Sequence, residues 1–457
     1  MLFWVSNLYL NSLRSAFLYQ LIFLFYIWCF IGVGSFLDTP LIRVDHWQIS
    51  SLLTLLIGVK FLFPFSRINK KLAAFIGVIV INLMYLLLNP LNMNVVVGYG
   101  GDYESVLGGI EYYREPTFTK FTIFNAVLAI SQAVIAFITF RVLSFEERLR
   151  IIFLLSRFVK ITFVIVIIEY LLKYTGNGFL YDALINTIFG FTPSGSTSDA
   201  ALRGDGYLLQ GLNREAAHLV VSIFTGVLIL FTNCLISAKN WIDPIFILIG
   251  LTLMALSMSF TSVLSFLILS LMYGSYLLSK ATKKINGTRL ISSIVLFGLL
   301  AMLTSSLFSQ NEYILERFDS ALSDLDFIVN SYSLYSQSFT VLSSTMSRLV
   351  TVVESFNILL LRPLFGVGLG THHAHGTTGL TLAEIGVVGF IIYLSLYFYS
   401  WRNLTHNFLY FVLVFYWIVF NIFVSIPQNV LVLRGDTIII SICLYTVVKF
   451  MNLKSTK

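Results

Sequence analysis

The sequence predicts an all-α, polytopic integral membrane protein with about twelve transmembrane helices, and three observations carry that prediction. The first is composition. The 457 residues are 57% hydrophobic, 16% aromatic and only 11% charged, with a mean hydropathy of +0.87. A soluble domain carries about 25% charged residues, so this chain has too little polar surface to coat a water-soluble globule. Disordered, fibrous and disulfide-scaffold classes are excluded on the same ground. The second observation is a series of apolar runs of membrane-spanning length, and the third is the sorting of charge between alternate connections.

A hydrocarbon core of about 30 Å needs about 20 apolar residues per helix. On that rule the spans fall near 16–36, 47–65, 72–90, 121–143, 152–173, 214–236, 243–259, 262–279, 290–308, 381–400, 408–426 and 436–452. No small-residue cleavage site follows the first run, so it reads as a retained span. Arg67, Lys70, Lys71, Arg141, Arg148, Arg150, Lys239, Lys280, Lys283, Lys284, Arg289, Arg402, Lys449, Lys454 and Lys457 share one side, with only Glu146, Glu147 and Asp243 as acids. The positive-inside rule then places both termini in the cytoplasm. Trp47, Trp241 and Trp401 stand at span ends, where interfacial anchors belong. The net charge of +7 belongs to these topogenic loops, so no nucleic-acid partner is expected. Cys29, Cys234 and Cys443 all fall inside apolar runs and read as buried thiols.

The whole chain, 1–457, reads as one membrane domain whose long loops, 91–120, 174–213 and 309–380, are all external. The last is the longest and is expected to carry short amphipathic helices. An alternating-access transporter would show two related halves and functional groups near the bilayer midplane. No repeat relates the halves, and few ionisable residues fall mid-span, Lys60 being the clearest. Any chemistry therefore faces outward.

Five of the six histidines lie on that outer side, four of them in two short segments. The first is Gly211-Leu-Asn-Arg214-Glu215-Ala-Ala-His218, at the mouth of the sixth span. At helical spacing Arg214, Glu215 and His218 share one surface, either as a functional cluster or as an interfacial anchor for the helix end. The second runs Arg362-Pro-Leu-Phe-Gly366-Val-Gly368-Leu-Gly370-Thr371-His372-His373-Ala-His375-Gly376 and continues into Glu384-Ile-Gly386-Val-Val-Gly389. Its glycines let the backbone approach a ligand closely and offer N–H groups to an anion, or else serve only the packing of a re-entrant turn. No cysteine or acid completes a four-ligand zinc set beside the histidines, so no metal is expected. Between the segments, residues 345–361 read as an amphipathic helix on the outer membrane boundary. Arg348, Thr351 and Ser355 form its polar, solvated stripe, and Leu349, Val353 and Phe356 are turned away. Asp324-Leu-Asp326 reads as surface.

The stretch Arg362-Pro363-Leu-Phe-Gly366-Val-Gly368, with His375 and Glu384-Ile-Gly386-Val-Val-Gly389, resembles the signature of the O-antigen polymerase and O-antigen ligase superfamily. The ligase form is a histidine, a small polar residue, nine residues, then Gly-x-x-Gly. His375-Gly376, nine residues and Gly386-Val-Val-Gly389 fit it, with glycine in place of the polar residue. Arg348 matches an arginine that commonly precedes the Pro-Leu-Phe-Gly turn. Arg203 to Glu215 is similar to the pattern that opens a central helix in the polymerases. At Ser259-Phe-Thr-Ser262 the family's serine-arginine lacks its arginine here.

The resemblance implies a metal-independent, cofactor-free glycosyltransferase of GT-C-like architecture in the bacterial inner membrane. Its site would be periplasmic, its donor a glycan on undecaprenyl diphosphate, and its neighbours membrane lipids, a chain-length regulator and a flippase. A polymerase transfers the growing chain to a new lipid-linked repeat unit; a ligase transfers the finished chain to lipid A core. Chain length, the 309–380 loop and the Arg203–Glu215 segment favour the polymerase, and the His375 spacing favours the ligase. A lipid-linked oligosaccharide flippase is the remaining alternative. Cleavage at the diphosphate leaves negative charge on the carrier, which arginine forks stabilise bidentately. Arg214 and Arg348 are the first candidates for binding the diphosphate and glycan, then Arg203 and Arg362, with Gly366, Gly368 and Gly370 as further binding positions. The acceptor hydroxyl must lose a proton, and His375 is the candidate base, with Glu215 or His218 as competitor.

Overall fold

The computed structural model describes residues 15–27, 51–56, 70–88, 120–189, 216–237, 241–257, 260–281, 355–371, 377–397 and 435–455, with short pieces of the connecting loops. Among these residues the protein is a helical membrane protein. Five helices are long and apolar enough to cross a bilayer: Lys70–Leu88, Thr122–Val142, Phe145–Tyr174, His218–Ile236 and Thr378–Leu396. Each falls on an expected span. The expected spans 290–308 and 408–426, and Lys60, lie outside the described residues.

In chain order the helices are α1 (Ser15–Tyr26), α2 (Lys70–Leu88), α3 (Lys120–Phe137), α4 (Phe145–Tyr174), α5 (Gly178–Phe189), α6 (Ala216–Ile236), α7 (Ile242–Leu256), α8 (Phe260–Ala281), α9 (355–361), α10 (Thr377–Tyr397) and α11 (Gly435–Ser455). The stretch 243–279 is indeed two helices, α7 and α8, separated at Ser257, whose hydroxyl meets that of Ser262 at 2.5 Å. The helical class stands, and the connections add three short two-stranded antiparallel ribbons: Ser35–Asp38 with Arg43–Asp45, Val95–Val96 with Tyr113–Arg114, and Leu202–Arg203 with Gly206–Tyr207. These sit in connections too polar to span, where the chain satisfies its backbone by folding back on itself. α5 is a further helix inside the connection 174–213 that the apolar runs gave no reason to expect.

Local chemistry explains the best-defined boundaries. α3 ends in a π-turn, Ile138–Val142, and Leu143 is extended. Ser144 then caps α4: its hydroxyl accepts from the Glu147 N–H at 3.2 Å while the Glu147 carboxylate accepts from the Ser144 N–H at 2.8 Å. This capping box, with acids in the first turn and Lys173 in the last, matches the helix dipole at both ends. At the far end Thr175 and Asn177 return their N–H groups to Leu171 and Leu172, Gly176 adopts φ 75°, and α5 starts immediately.

Contacts along the helices fix their directions. Lys71, at the start of α2, donates to the Ser395 carbonyl near the end of α10. Phe145 and Arg148, at the start of α4, pack on Tyr445 of α11. Tyr19 meets Arg150, and Tyr26 meets Thr162, so α1 runs parallel to α4. One end of the bundle thus gathers Lys71, Arg141, Arg148, Arg150 and Lys449, the basic residues that the sequence groups on one side. The end of α4, α5, and the starts of α6 and α10 lie at the opposite end.

α6 is the most enclosed of the five long helices and packs against α4, α7, α8 and α11. Close approach is set by small residues, as is usual where lipid provides no hydrophobic drive. The Phe163 ring of α4 fits between Gly226 of α6 and Gly250 of α7. A Cβ at Gly226 would stand 3.0 Å from Val159 and 3.1 Å from Phe163, and one at Gly250 would stand 2.5 Å from the Phe163 ring. Meanwhile Ile81, Met84, Leu88, Ile161, Ile168, Leu171, Leu248, Leu267 and Ile391 are exposed. In water such a belt would be untenable, and against acyl chains it is what a membrane helix presents. Gly250→Leu should overpack this contact and cost about 1–3 kcal/mol. A clear drop in the thermal midpoint of the detergent-solubilised protein would show it, with Gly274→Leu, which meets open space, as control.

Candidate functional site

Two assemblies occupy the end opposite the basic one. The first joins α4, α5 and the turn before α6. Glu169 of α4 is fully buried, pairs with Lys173 at 2.7 Å, and accepts the Gly211 N–H at 2.7 Å. The Tyr181 hydroxyl of α5 donates to the Gly211 carbonyl at 2.6 Å. Gly211 is therefore held on both faces of its backbone. It has φ 58°, and a Cβ there would press on Leu219 at 2.8 Å and Val166 at 3.0 Å. Leu212 packs beside Tyr181 and Ile185. Burial pushes the Tyr181 phenol upward, helped by the charges of Glu169 and Asp182. Burial also raises the Asp182 carboxyl, with Lys173 pulling it the other way.

This anchored turn leads straight to Arg214 and Glu215, which lie outside the described residues between Leu212 and Ala216. His218 is in the first turn of α6, buried, and its carbonyl accepts from the Ser222 hydroxyl at 3.0 Å. Arg203 lies on the first strand of the Leu202–Arg203/Gly206–Tyr207 ribbon, upstream of the same turn.

The second assembly is built around a broken membrane helix. α10 is interrupted at Gly386, which takes φ 69° and ψ −178°. In an unbroken helix the Val387 N–H would bond Ala383 and the Val388 N–H would bond Glu384. Here the glycine-rich loop intervenes. The Val367 and Gly368 N–H groups donate to the Ala383 and Glu384 carbonyls at 2.9 and 3.1 Å, and the Val387 and Val388 N–H groups donate to the Pro363 and Leu364 carbonyls at 2.8 and 3.4 Å. Two lost helical bonds become four between loop and helix. The fit requires glycine at 366 and 386, since a Cβ at either would overlap backbone of the other strand of the chain.

Two side chains complete the seal. Asn82 of α2, buried, donates to the Phe365 carbonyl at 2.5 Å and the Glu384 carbonyl at 2.8 Å, and accepts the Leu369 N–H at 3.2 Å. Glu384, also buried, accepts the Gly370 N–H at 2.6 Å. Gly370 in turn faces Asn125 of α3 so closely that it has room for no Cβ. Arg362 leads into the loop with its guanidinium hydrogen-bonded to the Tyr85 hydroxyl and stacked over that ring, 4.7 Å from the centroid.

This geometry corrects two expectations. The N–H groups of 366–370 are not turned toward a ligand: Gly366 donates to the Arg362 carbonyl at 3.1 Å and the next four as above, so the loop's amides are taken from within. Of the two roles open for the glycines, packing of the turn is the one these bonds show. Secondly, the polar stripe of 345–361 is not solvated at Ser355. That residue is fully buried against Gly379, while Phe356, Leu360 and Leu361 are exposed. A helix lying on lipid buries its small polar face against the protein. Arg348 and His375 lie outside the described residues, His375 in the short gap between Thr371 and Thr377 that the sealed loop leads into.

Sequence reasoning missed Glu169, Lys173, Asn82 and Asn125, and the ion pair of Lys160 with the fully buried Asp243, which also accepts from Asn233 at 2.6 Å. Ionisable residues inside apolar runs were the available signal. Lys160, Glu169 and Lys173 all stand within one expected span, against the expectation that few ionisable groups fall mid-span. Compared with known protein families, curated proteins and solved structures, the chain matches none.

Glu169→Ala should leave Lys173 and the Gly211 N–H without their acceptor and cost about 3–5 kcal/mol, read as a lowered thermal midpoint in detergent. Asp182 has the opposite sign. A raised carboxyl favours the protonated form in the fold, so its ionisation costs stability above the ordinary aspartate range. Asp182→Asn should therefore stabilise, by a margin that grows as pH rises above the ordinary aspartate range in paired melting curves.

Proposed function

We propose that the protein is an O-antigen or polysaccharide polymerase of GT-C-like architecture with about twelve spans in the bacterial inner membrane. Both termini are cytoplasmic and the working face is periplasmic. The observation that carries this reading is that the residues behind the sequence resemblance are used together. Arg362 to Gly370 and Glu384 to Gly389 are far from an incidental pattern: each supplies the hydrogen bonds that the other lacks. The gathering of basic residues at the bundle's other end supports the orientation.

In the reaction, an acceptor sugar hydroxyl on one lipid-linked repeat unit attacks the anomeric carbon of the growing chain. The bond from that carbon to the diphosphate oxygen breaks, undecaprenyl diphosphate leaves with the electron pair, and the hydroxyl proton passes to a base, His375. Arg214 and Arg348 meet the diphosphate charge as it develops. Arg203 and Arg362 stand behind them, and Glu215 and His218 are the competing bases. The second reading, transfer to lipid A core by a ligase, rests on the spacing from His375 to Gly386 and Gly389.

A lipopolysaccharide gel of a strain lacking this gene separates the two. Core bearing one repeat unit without a ladder is the expected result, restored by the wild-type gene and not by His375→Ala at equal protein level. Bare core with polymer held on its carrier would instead mean ligase. Arg214→Lys keeps the charge and loses the fork, and should cut polymer formation by about tenfold or more. An unchanged ladder would remove Arg214 from the site.

A further inference from the structure

We infer that the outward face of α4 near the basic end, beside α1, binds an anionic phospholipid: Arg150 and Arg157 take the headgroup phosphate, and the apolar residues that follow take an acyl chain. The helix treats its cations in two ways. Those turned inward are matched to acids, Lys160 to Asp243 and Lys173 to Glu169. Arg150 and Arg157 are turned outward and exposed, and among the described residues neither has a carboxylate within ion-pair distance. Arg150 donates to the Tyr19 hydroxyl of α1 at 3.0 Å and lies 5.6 Å from the centroid of that ring, engaging it in preference to Glu146, one turn further out. Arg157 stacks over Phe153 at 4.6 Å, one turn back toward the basic end, and makes no hydrogen bond among the described residues. The rings thus fix where the two guanidiniums stand and leave most of their N–H donors open.

Position along the helix gives the site its shape. Arg150, Phe153 and Arg157 fall on one stripe at helical spacing, and the same stripe runs on through Ile161, Val164, Ile168 and Leu171, all exposed. From Arg157 to Leu171 is about 21 Å of helix, more than the roughly 15 Å of hydrocarbon in one leaflet. A lipid with its phosphate at Arg157 therefore has apolar helix beside its tail throughout its leaflet. Arg157 stands inside the expected span 152–173, where an unmatched charge facing acyl chains is costly, and its long side chain turns back toward the surface. Snorkelling to water would serve a single arginine. Two of them, about 10 Å apart on one face with a ring beside each, fit a fixed negative charge at the membrane surface, and the arginine fork grips phosphate oxygens bidentately. The inference does not rest on the polymerase reading.

Full-length protein in detergent, titrated with phosphatidylglycerol carrying a fluorescent tail and competed with unlabelled phosphatidylcholine, tests the site. Wild type should bind the anionic lipid saturably, and phosphatidylcholine should not displace it. Arg150→Gln and Arg157→Gln should each raise Kd about fivefold, the worth of one arginine beside an anionic lipid surface. Arg157→Lys, which keeps the charge and loses the fork, should fall between. Lys449→Gln removes one charge from the same end of the bundle and should leave Kd unchanged. Thermal midpoints in lipid nanodiscs separate binding from folding. In phosphatidylcholine both glutamine variants should melt no lower than wild type, since each removes a charge from a lipid-facing position. They should lose only the rise that phosphatidylglycerol gives wild type. Displacement by phosphatidylcholine, an unchanged Kd in Arg157→Gln, or an equal loss in Lys449→Gln would overturn the site, the last in favour of diffuse surface charge. Glutamine variants that melt lower by the same margin in both lipids would make the arginines structural and overturn it too.

Discussion

A peptide group inside a bilayer has no water to turn to, and the break in α10 shows how far this chain goes to meet that requirement. Interrupting a membrane helix at Gly386 frees two N–H groups and two carbonyls. Each finds a partner on the loop 363–368, and the loop's own remaining N–H groups find Asn82 and Glu384. The arrangement is closed: neither loop nor helix could hold its conformation without the other. That mutual dependence ties α2, α3 and α10 into one block at the end of the bundle away from the basic residues, because Asn82 and Asn125 come from the first two.

The ionisable residues within the other helices obey the same rule. Glu169 is neutralised by Lys173 and spends its second oxygen on Gly211; Asp243 is neutralised by Lys160 and takes a proton donor from Asn233. Such pairs contribute little net stability over apolar contacts of the same shape, but breaking one is costly. Their use here is register. Glu169 binds the start of the segment that leads into α6, and Asp243 binds α7 to α4 and α6 near the basic end.

Much of this was legible from the residues. Each of the five long helices is a run of apolar residues of spanning length, so hydropathy locates it directly. The split between α7 and α8 falls at the start of the serine-rich stretch 257–262. The glycines of 366–370 and 386 announced unusual backbone. Their purpose was not legible, because an N–H free to meet an anion and an N–H promised to a distant carbonyl have the same sequence. Deciding between them needs the partner, and Asn82 is separated from the loop by most of the chain. Ser355 failed for a related reason: helical spacing identifies a polar stripe, but in a membrane protein the stripe faces inward as readily as outward. Glu169 and Lys173 were readable as an i, i+4 pair, yet the length of the run around them concealed them.

The spacing of the motif itself now has a physical content. The nine residues between Gly376 and Gly386 are 377–385, the first half of α10 up to its break, about 13 Å of helix. The position after the histidine directly precedes the first helical residue, where small polar residues and glycine are the favoured caps. Glycine at 376 is thus a mild departure: it forgoes a side-chain cap and keeps the required backbone freedom.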